Sequence, residues 1–145
     1  MTKKYANLAM VYGILAMAAG VFYREFTKFQ GFGGKTALSV MHAHYFLLGM
    51  FFFLVLMLIE KSFAFSDERT GKILLVYQIG LNIAETAFLA RGLFQVTMQQ
   101  LAKGLDASVS GVAGIGHILI GVSAVMLLMQ IKKAAAREDD RKTGV

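Results

Sequence analysis

The sequence predicts an all-α fold, an integral membrane four-helix bundle forming a single membrane domain over residues 1–145. Three observations carry this. The chain is 57% hydrophobic with a mean hydropathy of +0.59, and its apolar residues fall into four runs. Each run is close to the ~20 residues needed to cross a ~30 Å hydrocarbon core. The breaks between runs are short and charged or glycine-rich, which leaves no room for a second domain. There is no proline, so nothing interrupts the runs. In lipid every backbone donor must be satisfied within its own segment, and helices do that.

The first span is expected at roughly residues 6–24. Lys3 and Lys4 in front, with Ala16, Ala18 and Ala19 behind, would also suit a signal peptide. The segment is read as a retained span. REFTKFQGFGGK follows, and its GFGG reads as a flexible turn. The second span is expected at roughly 37–60, the third at 73–96 and the fourth at 111–132. EKSFAFSDERTGK and QQLAKGLDASVSG connect them. The charged tail, 133–145, is expected to extend the fourth helix before fraying.

The net charge of +6 is distributed as a membrane signal, and nucleic acid is not expected as a partner. With alternating spans, Lys3, Lys4, Lys61, Arg69, Lys72, Lys132, Lys133, Arg137, Arg141 and Lys142 share one side. Arg24, Lys28, Lys35 and Lys103 share the other. Cytoplasmic loops carry the excess of Lys and Arg, so both termini are expected in the cytoplasm of a multi-pass protein. The basic side also suits anionic lipid. There are no cysteines, which excludes disulfides, iron–sulfur clusters, thiolate metal sites and covalently attached haem.

VMHAHYFLLGMFFFLV places two histidines inside an apolar run. Counting from span ends, His42, His44 and His117 all lie roughly 9–12 Å from the outer face, and Arg91 falls in the same layer. Ionisable groups in a membrane are expensive and point to function. Successive residues turn about 100°, so His42 and His44 face apart. His117 is flanked by Gly114 and Gly121, and His42 has Gly49 seven residues on. Such empty space suits a flat ligand. Two imidazoles from facing helices can fill both axial positions of a haem iron, so haem b is the expected cofactor, one per chain or two. Arg91, Arg24 or Lys28 would pair with its propionates. Close helix packing explains the glycines equally well.

HAHYFLLGMFFF resembles the histidine-x-histidine-tyrosine helix of haem–copper oxidase and nitric oxide reductase catalytic subunits. GIGHILIGVSAVML is similar, more loosely, to the other haem-ligand helix of that family. The resemblance implies that His42 and His44 each face a haem and that His117 pairs with His44. Glycine spacing points instead to His42, and His44 is the expected partner. The family's copper histidines have no counterpart, so reduction of oxygen or nitric oxide is not expected. From end to end, with GVFYREFTKF and TALSVMHAHYFLLGMFFFL as its core, the chain also resembles a bacterial family of uncharacterised small four-span membrane proteins. That implies the bacterial plasma membrane and no particular activity.

Gln78, Asn82 and Glu85 make one polar stripe on the third span. It reads either as a proton path or quinone head-group site, or as polar glue against a neighbouring helix. Three functions remain open. The first is a small b-type cytochrome for electron transfer or for haem or redox sensing, with a quinone or redox protein as partner. The second is a cofactor-free accessory subunit. The third is a Cu(I)-handling protein using Met41, His42, His44 and His117. Nothing in the sequence commits the chain to catalysis. The bilayer is the expected environment, with a homo-oligomer open.

Overall fold

A computed structural model describes residues 1–98 and 102–143. Among them there are only helices and their connections. α1 spans Thr2–Phe29, α2 Leu38–Phe63, α3 Glu68–Val96 and α4 Lys103–Thr143. All four are long and apolar enough to cross a membrane. Their outer faces are studded with exposed apolar side chains such as Ile14, Leu47, Leu75 and Ile118. In water this would be a liability, and in lipid it is the solvated face.

Two antiparallel hairpins build the bundle, α1 with α2 and α3 with α4. The second is held by glycines. A Cβ on Gly80 would stand 2.8 Å from Gly116 O, and one on Gly116 would stand 2.7 Å from Gly80 O. The two backbones therefore touch, which only small residues permit. In the first hairpin a Cβ on Gly49 would meet the Tyr12 ring at 2.6 Å. The hairpins meet through bulkier side chains. Tyr5, Tyr12, Phe53 and Tyr77 are buried between them, with Tyr12 and Phe53 stacked at 5.7 Å and Phe52 on Tyr77 at 4.3 Å.

α1 runs past both expected ends, α2 continues to Phe63 and α3 begins at Glu68 rather than at 73, and two further features depart from the sequence expectation. α2 is not uniformly α-helical: Tyr45–Phe51 forms a π-helical turn. There Phe52 N–H reaches back five residues to Leu47 O. Reverting to four-residue spacing passes over one carbonyl, and the Tyr77 hydroxyl donates to Leu48 O at 2.8 Å. The fourth span is also longer than 111–132. It starts at Lys103 and runs 41 residues, about 60 Å. Residues 103–111 are thus helix rather than connector. The expected tail is the end of this helix as far as Thr143. Positions 99–101 of the expected connector, and 144–145 of the tail, lie outside the described residues.

The loop between α2 and α3 is firmly tied. Asp67 caps α3, accepting from Arg69 N and Thr70 N at 2.9 Å each. The Thr70 hydroxyl accepts from Asp67 N–H in return, a reciprocal capping box. Gln130 of α4 donates to the same carboxylate. Glu60 accepts from Ser66 N–H and its hydroxyl, and Tyr5 meets that hydroxyl at 2.6 Å.

Candidate functional site: a pair of histidines between the hairpins

His44 is the last residue before the π turn. It faces the other hairpin, 2.9 Å from Glu85 Oε1 through Nδ1. His117 on α4 bonds through Nδ1 to Ala113 O, one turn back, at 2.7 Å. A carbonyl only accepts, so that Nδ1 carries the proton. Each ring thus has one nitrogen oriented by an acceptor, a carboxylate in one case and a backbone oxygen in the other. In both, Nε2 is the nitrogen left to act, the arrangement found in metal-ligating histidines.

The His44 and His117 ring centres are 6.0 Å apart, with planes at 74°. Two imidazoles bound end-on to one ion at roughly 2.0–2.1 Å each would have centres about 6–6.5 Å apart. The separation is compatible with such a pair, and it is also that of two rings packed edge to face. Phe88 completes the group, 5.3 Å from His44 and 5.8 Å from His117. Among the described residues no three His, Cys, Asp or Glu side chains gather to hold a metal.

His42 is not in this group. It lies against α1, with its Cβ 3.6 Å from where Gly20 would carry one. Its Nδ1 is buried without a hydrogen-bond partner. Opposed facing of His42 and His44 follows from their spacing, and only His44 meets His117. Gly49 does not open space for a ligand beside His42, because Tyr12 fills its notch. Gly114 and Gly121 do have open space where a Cβ would stand.

The cationic residues are placed differently from expectation. Arg91 is engaged at the end of its own hairpin where α4 begins. It donates to Asp106 Oδ1 at 2.9 Å and to Asp106 O at 3.1 Å, and it also meets Ser110 Oγ. All three contacts run through Nη2. Arg24 is exposed on α1, 3.8 Å from Glu25, and Lys28 is exposed one turn further on. Met41 is buried in a separate cluster with Leu38 and Val96, so the four-residue Cu(I) set is not assembled.

Two residues of the polar stripe of α3, Asn82 and Glu85, bond across helices, while Gln78 donates to Leu74 O of its own helix. Asn82 donates to the Tyr12 hydroxyl at 3.1 Å and accepts from the Tyr45 hydroxyl at 3.2 Å. Glu85 is only 1% exposed at its side chain. Its Oε1 meets His44, while Oε2 is buried without a partner. Sequence reasoning found Glu85 as part of the stripe but missed its pairing with His44, and it missed Phe88. The i,i+3 spacing of Glu85 and Phe88 was the available signal.

Four apolar helices and a histidine pair where the two hairpins meet define a small multi-pass membrane protein, with Glu85 buried, His44 partly buried and His117 exposed. The chain belongs to the family described as "Protein of unknown function (DUF2871)", which it matches over residues 2–134. No curated protein and no solved structure matches it, so the local likeness of HAHYFLLGMFFF to the oxidase helix has no support from these comparisons.

Proposed function

We propose that this protein is a small b-type cytochrome of the bacterial plasma membrane, with both termini cytoplasmic, that holds haem between His44 and His117. The observation that carries the reading is the ring pair: 6.0 Å between centres, with both Nδ1 atoms already held by acceptors. Glu85 and Ala113 O fix the ring orientations and make the imidazoles better donors. Phe88, packed against both rings, would lie beside a bound group. Bound haem would supply one-electron chemistry, and two histidine ligands leave no position for a substrate, which suits electron transfer or redox sensing rather than catalysis. A quinone or a membrane redox protein is the electron partner.

A second reading has its own support. Both imidazoles already have a hydrogen-bond partner, as polar glue in an accessory subunit would. The visible spectrum separates the two. Purified protein, oxidised and then reduced with dithionite, is expected to show a sharp Soret band and split α and β bands. His44→Ala and His117→Ala should each lose that low-spin spectrum, and His42→Ala should keep it. A colourless protein that takes up no added hemin would instead establish the accessory role.

A further inference from the structure

We propose a second site, for Cu(I), on the face of the first hairpin, built from the thioethers of Met10, Met17 and Met50. It is independent of the histidine pair and does not rest on the haem reading.

A groove of about 450 Å³ runs along the seam of α1 and α2. Met10, Met17, Met50 and Met57 line it, together with Gly13. These are four of the nine methionines in the chain, gathered in one place. Gly13 makes the centre of the groove. A Cβ there would stand 3.1 Å from Met50 Sδ, so the sulfur occupies the notch that the glycine leaves. Met10 and Met17 are three residues before and four after Gly13, on the same helical stripe. They bracket the notch one turn below and one turn above.

Packing alone does not ask for sulfur at these positions. Met10 is 61% exposed and Met17 57%, so neither fills a core gap, unlike Met41. Facing lipid, a leucine would serve as well. The groove residues carry no carboxylate, amine or hydroxyl side chain, so a hard cation finds no ligand there. Neutral thioethers select Cu(I) among biological metals. The seam continues outward from Met17 to Gly20, against which His42 packs with its buried, unpartnered Nδ1. His42 is thus the next donor along the path toward the outer face.

The test uses the full chain in detergent, free of haem and of oxygen, titrated with Cu(I) against a chromogenic Cu(I) chelator. One equivalent is expected to bind. Thioethers release no proton on binding, so the affinity should not change between acidic and neutral pH, unlike a histidine site. Replacing Met10, Met17 and Met50 together with leucine conserves volume and should weaken binding by about tenfold or more. X-ray absorption of the loaded parent should show a sulfur-dominated shell, and this reads the site even if the triple variant fails to fold. Unchanged affinity in a folded triple variant, a nitrogen-dominated shell, or no uptake by the parent would each overturn the proposal.

Discussion

His44 and Glu85, from different hairpins, meet at 2.9 Å, and the carboxylate they share is almost wholly buried. A buried carboxylate is costly unless hydrogen-bonded, so this contact both locks the hairpins together and fixes one imidazole. Its partner ring on His117 is fixed by a backbone oxygen instead. The site is therefore ordered before any ligand arrives.

The first prediction follows from that order. Glu85→Gln keeps an oxygen that can accept from His44, whereas Glu85→Leu does not. Hemin affinity, measured by competition with apomyoglobin, should fall about 10–100-fold in the leucine variant and less in the glutamine variant. Equal affinity in all three proteins would show that the carboxylate does not support the ligand.

The backbone contact of α3 and α4 makes Gly116 intolerant. An added methyl there would stand 2.7 Å from Gly80 O and 2.8 Å from Ala84 N, and backbone cannot swing away. Gly116→Ala should cost about 1–3 kcal/mol in reversible detergent unfolding. Gly121→Ala, with open space around it, should not destabilise. Similar losses in both would mean that the tight approach is not what holds this hairpin.

Arg91→Ala removes a pair that is partly open, with side-chain exposures of 26% for Arg91 and 54% for Asp106. Its stability cost should stay below about 1 kcal/mol. Haem content should be unchanged, since the guanidinium is engaged at the hairpin end. Amide exchange should rise over 103–111, where α4 begins. A large loss of haem without loss of fold would restore Arg91 as a propionate partner.

Asp67 gives the pH dependence. The Thr70 backbone N–H, followed by the Thr70 hydroxyl, holds its carboxyl below the ordinary value of 3.8. A depressed carboxylate stabilises the fold fully above its unfolded pKa, and that stability is lost as pH falls through the folded value. The midpoint of thermal unfolding should therefore drop below about pH 4. Asp67→Ala should lower the midpoint at neutral pH and flatten this acid limb. An acid limb of unchanged size in the variant would place its origin elsewhere.

Much of this architecture is legible in the sequence, because hydropathy and span length are strong signals in lipid. Element ends were less so. GLDASVSG looks like a connector by composition, yet it is helix, since Ser, Gly and Asp are tolerated in a turn that Arg91 pins from α3. The π turn has no compositional mark at all. Depth counting brought His44 and His117 to one layer, but it did not reveal that Glu85 reaches His44. The facing of His42 and His44 to opposite sides was readable from two-residue spacing alone.

The division into two hairpins has a consequence for biosynthesis. Each hairpin can enter the bilayer as a closed unit, since its strongest contacts are internal. His44 and Glu85 sit on opposite halves, as do His44 and His117. Until the halves dock, no complete site exists and a polar group from each is left in hydrocarbon. Colour acquired by a nascent chain would then report that assembly had finished, and the same polar groups would mark an orphaned half for quality control.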